Sequence, residues 1–117
     1  MKKIYHLATC STNKRILKEI EPTDDFEFQE IKSNPITEDQ IDEMHKLSGS
    51  YEALFSRRAM KYKSLGLKEK NLTEDDIKGY ILSDYTFLKR PVAIIGDEIF
   101  IGNSKKNVEA LKSKIHA

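Results

Sequence analysis

The chain contains one cysteine, Cys10, in the stretch IYHLATCSTNKRIL (residues 4–17), between an apolar run and the start of a helical pattern. A sulfur placed where a strand ends and a helix begins faces the unpaired N–H groups of the first helical turn, whose partial positive charge favours thiolate over thiol. The thiolate is the nucleophile. The same N–H groups, with the hydroxyls of Ser11 and Thr12, can hold an oxyanion beside the sulfur, and Lys14 and Arg15 add positive charge within one turn. A free cysteine is otherwise a small hydrophobe and among the most buried residue types. Location weighs against that reading, because a strand-to-helix junction followed by small polar residues is a poor place to hide an inert side chain.

The other chemistry-bearing residues are less sharply placed. His6, four residues before Cys10, either polarises the thiolate through a hydrogen bond or sits as a satisfied core histidine. His45 shares a helical face with Ile41 and Met44 and reads as a packed side chain, and His116 is expected to fray. One cysteine excludes an intramolecular disulfide, and the histidines and carboxylates show no ligand-like spacing, so no metal site is expected. In the basic run RRAMKYK (57–63), Arg58, Lys61 and Lys63 read as a solvated face, as does the acidic stretch from Glu19 to Glu43.

The elements that must position Cys10 follow from periodicity. Residues 3–8, KIYHLA, read as a strand buried on both faces, followed by a helix that Ser11 or Thr12 can cap and whose stripe is Ile16, Leu17 and Ile20. FEFQEIK (26–32) reads as a second strand through Phe26, Phe28 and Ile31. Thr37 opens the capping box TEDQ, YEALFSRR (51–58) predicts a second helical piece, LGLKEKN a loop, and TEDDIKGYIL another capped helix. RPVAIIGDEIFIGN (90–103) places two apolar runs around Gly96-Asp97, a hairpin, and KKNVEALKSKI closes the chain as a helix. The order β-α-β, helices, β-β-α predicts an α/β protein: a four-stranded mixed sheet flanked by helices, its first two strands parallel and its hairpin antiparallel. This matches a thioredoxin-like fold, with a helical insertion at about 37–85 in one domain spanning 1–117.

Size and composition agree. At 117 residues the chain is long enough for a core of its own. A net charge of +1 offers no bulk attraction for nucleic acid. No run reaches membrane-spanning length, and the first residues hold too short an apolar stretch for a signal peptide, so a cytoplasmic protein is expected.

At this point the motifs carry a resemblance. YHLATCSTNKRIL resembles the N-terminal motif of the ArsC family, Tyr-His-x-x-x-Cys-x-Thr-x-(Arg/Lys), through Tyr5, His6, Cys10, Thr12 and Lys14. This family comprises glutaredoxin-coupled arsenate reductases, YffB-type relatives and Spx regulators. ALFSRRAMKYKSLGL (53–67), FLKRPVAI (87–94) and IGNSKKNVEAL (101–111) are similar to its later segments, in order over nearly the whole chain. The resemblance implies a thioredoxin-like fold with a helical insertion, Cys10 as redox nucleophile, and Arg90 as contact for a bound oxyanion or the thiolate. It also implies that Pro91 is cis and that Arg57 matches the arginine of the middle segment. Thr12 and Lys14 would join Arg57, Arg90 and Pro91 in binding substrate or glutathione, with His6 as a candidate thiolate-polarising group.

Departures narrow this. Arsenate reductases proper carry arginines where this chain has Ser56 and the Gly102-Asn103 turn, and arginine's bidentate, always-charged recognition has no substitute there. Spx regulators usually carry a Cys-x-x-Cys switch, and here the second position is Asn13. The resemblance then implies a thiol reductase whose single cysteine acts on an oxyanion or small disulfide, with no bound cofactor. Glutathione would be the co-substrate and glutaredoxin the partner, with no direct nucleic-acid or membrane contact, and a monomer is expected. The alternative is a non-enzymatic, Spx-like module that docks onto a larger protein such as RNA polymerase.

Overall fold

The computed structural model describes residues 1–117. The chain forms two compact units, Met1–Asn34 with Arg90–Ala117, and Pro35–Lys89. The second contains the segment expected as an insertion.

The first unit holds the sheet. Its strands are β1 (Lys2–His6), β2 (Glu27–Glu30), β3 (Val92–Ile95) and β4 (Glu98–Ile101), in the spatial order β2-β1-β3-β4. β1 pairs parallel with β2 and antiparallel with β3, and β3 pairs antiparallel with β4. This is the expected mixed sheet. The hairpin turns at Gly96, whose φ of 63° suits glycine. Helices α1 (Ser11–Ile20) and α5 (Lys105–Ile115) turn Ile16, Ile20, Val108 and Leu111 onto Ile4, Phe26 and Ala93. The other face of the sheet carries Tyr5, Val92 and Ile94, all buried. Phe28 shares Ile4's face, but on the edge strand it stays 47% exposed. His116 does not fray: its Nε2–H donates to the Ile20 carbonyl at 2.8 Å, capping the last turn of α1.

The second unit is helical. The expected capping box, Thr37 with Gln40, starts α2 (Glu38–Ser48), and the expected second capped helix, α4 (Glu74–Ser83), also starts with a box, Thr73 with Asp76. Between them lies a short α3 (Met60–Ser64). The helix expected over 51–58 is absent. A single turn at Glu52–Leu54 gives way to extended chain at Phe55, which bridges Leu88, with Ser56 N–H donating to the Phe87 carbonyl at 2.7 Å and Lys89 N–H to the Leu54 carbonyl at 2.8 Å. Tertiary partners outweigh the local pattern here. The Glu74 carboxylate takes the N–H groups of Tyr51 and Glu52 at 2.7 and 3.1 Å, and Phe55 stacks on Phe87 with ring centres 5.5 Å apart. LGLKEKN likewise contains a turn, Leu67–Glu69, rather than only loop. No helix is long and apolar enough to cross a membrane.

Candidate functional site

The β1–α1 junction places the sulfur. Cys10 is half-buried and is itself the N-cap of α1, with extended backbone (φ −89°, ψ 117°), so neither Ser11 nor Thr12 caps the helix as expected. Its carbonyl accepts from Lys14 N–H at 3.0 Å and its N–H donates to the Leu7 carbonyl at 3.1 Å. No acidic residue lies in the first turn, so nothing on the helix offsets its positive end beside Cys10. Thr12 is partly exposed, and Lys14 and Arg15 are exposed.

Two side chains that sequence reasoning passed over hold this junction. Asn13, only 1% exposed, accepts from Leu7 N–H through Oδ1 at 3.0 Å and donates through Nδ2 to Cys10 Sγ at 3.6 Å. Glu30, at the end of β2, accepts from the N–H groups of Ala8, Lys32 and Ser33 at 2.9, 3.1 and 2.8 Å and from the Ser33 hydroxyl at 2.8 Å. One carboxylate thereby ties the loop before Cys10 to the loop after β2. Asn13 carried a signal in its spacing from Cys10. Glu30, 22 residues from Ala8, carried none.

The backbone donors around Glu30, Ser33 first and then Ala8, hold its carboxyl down to about 2 from an ordinary 4.5. A carboxylate depressed in the fold stabilises above its unfolded value and loses that contribution as pH falls through its folded one. Wild-type protein is therefore expected to lose about 1 kcal/mol between pH 4.5 and 2 from this group, after solvent screening. Glu30→Gln should show that part of the acid limb flattened, with faster hydrogen exchange at Ala8 and Ser33. Equal acid limbs would refute the role.

His6 sits with its ring edge-on to Phe28, centres 6.0 Å apart, and its Nδ1 is buried without a hydrogen-bond partner. Burial lowers its pKa, with the Glu30 carboxylate pulling the other way. The hydrogen bond that reaches the sulfur comes from Asn13. The Arg90–Pro91 bond is cis. Because Tyr5 pairs with Val92, Arg90 and Pro91 lie at the same end of the sheet as the Cys10 loop. The Pro91 carbonyl accepts from Gly102 N–H at 2.9 Å, and Asn107 Nδ2 donates to the Gly102 carbonyl at 2.9 Å. Gly102 has a φ of 91°, which explains glycine rather than arginine in this turn. Arg57 belongs to the other unit, where its guanidinium pairs with Glu52 at 3.2 Å and lies over the Phe55 ring at 5.8 Å. Ser56 is held there by its backbone bond to Phe87.

A mixed four-stranded sheet in this order, with a cysteine at the β1–α1 junction and a cis proline before β3, is a thioredoxin-like fold. The sequence profile of the ArsC family matches residues 5–111, and the chain belongs to that family. It is 27% identical over 109 residues to YusI, an uncharacterized protein of Bacillus subtilis strain 168, covering 90% of this chain and 92% of that protein. Among solved structures it resembles SACOL0876 from Staphylococcus aureus COL, with a TM-score of 0.71 at 26% identity over 94% of this chain and 97% of the other. It also resembles an arsenate reductase from Vibrio cholerae, with a TM-score of 0.77 at 16% identity over 97% and 96% of the two chains, a likeness of fold.

Proposed function

We propose that this chain is a cytoplasmic, monomeric thiol reductase of the arsenate reductase type, with Cys10 as its nucleophile and glutathione, then glutaredoxin, as external thiols. One observation carries the reading: Cys10 stands half-buried as the N-cap of α1, with no acid in the first turn, at the sheet end it shares with Arg90 and Pro91. The positive end of the helix faces that position.

The Cys10 thiolate attacks one sulfur of a small disulfide; a new S–S bond forms as the old one breaks and a substrate thiolate leaves. Glutathione thiolate then attacks the substrate sulfur, and Cys10 leaves as thiolate. With arsenate, the sulfur displaces an oxygen as water. The two electrons that reduce arsenic come from Cys10 and glutathione, which end as a mixed disulfide for glutaredoxin to open. The chain has no second cysteine, so resolution must come from outside. Thr12 and the first-turn N–H groups would hold oxygens, and Lys14 and Arg90 would offset negative charge.

The test is NADPH consumption with glutathione, glutathione reductase and glutaredoxin, supplying arsenate or a small disulfide, and mass spectrometry of the trapped protein. Chain-dependent consumption is expected, with one glutathione on Cys10 when arsenate is supplied and half of the substrate on Cys10 when a small disulfide is. Neither signal with any of these substrates would overturn the reading. The rival, a docking module for a larger protein such as RNA polymerase, draws on Met60 and Leu65, which are 87% and 49% exposed beside Arg58 and Lys63. Retention by purified polymerase in a chain silent in both assays would favour it.

A further inference from the structure

A buried asparagine in the first turn of a helix needs a reason, because its amide loses water on both sides and competes with the backbone. Asn13 is 1% exposed, and both ends of its amide are engaged. Oδ1 accepts from Leu7 N–H at 3.0 Å. That bond fixes which way round the amide lies, so the NH2 must face Cys10 Sγ, 3.6 Å away. An amide NH2 donates and cannot accept. It therefore rewards a sulfur that carries charge and offers nothing to the proton of a thiol.

We propose that Asn13 is the positioning residue that holds the Cys10 sulfur and stabilises it when it carries charge. It is fixed in turn by Leu7, at the strand end from which the loop departs. The inference rests on the reading of Cys10 as nucleophile and adds to it the group that tunes that nucleophile. The donor also serves the release step. When glutathione thiolate attacks the outer sulfur of a Cys10 mixed disulfide, the electron pair of the broken S–S bond passes to Cys10 Sγ. The Asn13 NH2 already faces that atom, and a better stabilised thiolate leaves faster. A chain with one cysteine has no partner thiol at the third position beyond it. A neutral hydrogen-bond donor occupies that place.

The experiment is the rate of Cys10 alkylation by iodoacetamide as a function of pH, in wild type, Asn13→Asp and Asn13→Ala, with far-UV circular dichroism confirming the fold. Asn13→Asp keeps an acceptor for Leu7 N–H but turns a carboxylate oxygen toward the sulfur. Its rate near neutral pH is expected to fall about tenfold or more, with the profile displaced to higher pH and the alkaline plateau unchanged. An unchanged plateau separates ionisation from access. Asn13→Ala, which removes the donor without adding charge, should shift the profile less in the same direction, and it carries the test should the aspartate variant not fold. Variant profiles that superimpose on wild type would overturn the role of Asn13 while leaving Cys10 as nucleophile. A wild-type Cys10 that reacts no faster than a free thiol at every pH would instead overturn the reading of Cys10.

Discussion

Replacing Cys10 with serine is expected to reduce glutathione-dependent turnover by at least about a thousandfold while leaving the fold intact. The magnitude follows from the chemistry of one atom. A serine hydroxyl is not ionised near neutral pH, it forms no S–S or S–As bond, and no second sulfur exists to take over. The fold should tolerate the change because Cys10 contributes mainly backbone to its junction. Its N–H donates to Leu7 and its carbonyl accepts from Lys14, and both bonds survive in serine. Serine is also a favoured N-cap, where the cysteine makes no side-chain cap hydrogen bond, so the melting temperature should hold or rise slightly. The measurement is NADPH consumption for variant and wild type with each substrate, beside a thermal melt. Equal rates with arsenate and with simple disulfides would sink the enzymatic reading, since no other side chain in the chain can do the covalent step.

The parts of this structure that could be read from sequence are those whose causes are local. Thr37 with Gln40 and Thr73 with Asp76 satisfy helix N–H groups three residues away, and both capped helices start where the pattern put them. Gly96 needs only its own positive φ to turn the hairpin, and the two-residue turn sets the register of β3 against β4. The cysteine's place at the strand-to-helix junction follows from two periods meeting, and it too was legible. What was not legible depends on partners remote along the chain. Tyr51 and Glu52 look helical until Glu74, more than 20 residues on, takes their N–H groups and Phe55 pairs with Leu88. Glu30 looks like one more surface acid until Ala8, Lys32 and Ser33 converge on it. His116 looks like a loose end until it meets Ile20. Asn13 is the intermediate case. Its spacing from Cys10 is visible, but the orientation of its amide depends on Leu7 N–H, which only the folded loop supplies. The candidate site was therefore legible in the place of its cysteine and not in the groups that hold it.

Truncating Ile4 to alanine is expected to lower stability by about 3–4 kcal/mol. Ile4 is fully buried on β1, the strand paired on both sides, opposite Phe28 in one neighbour and Ala93 in the other. Its side chain lies in the cluster that joins the sheet to Ile16 and Ile20 of α1 and to Val108 and Leu111 of α5. Removing three carbons there costs their transfer energy and leaves a cavity that backbone laddered on both edges cannot collapse to fill. The wall that would have to move includes α1, whose N-cap is Cys10 and whose first turn carries Asn13, so loss of stability and loss of sulfur reactivity should appear together. Phe28→Ala, at 47% exposure on the edge strand, should cost about 1 kcal/mol or less and leave alkylation unchanged. Denaturant unfolding followed by far-UV circular dichroism is the measurement, because the chain has no tryptophan to report by fluorescence. Should Ile4→Ala and Phe28→Ala prove equally mild, the cluster around β1 is not what fixes the Cys10 junction, and the link from core packing to sulfur chemistry fails with it.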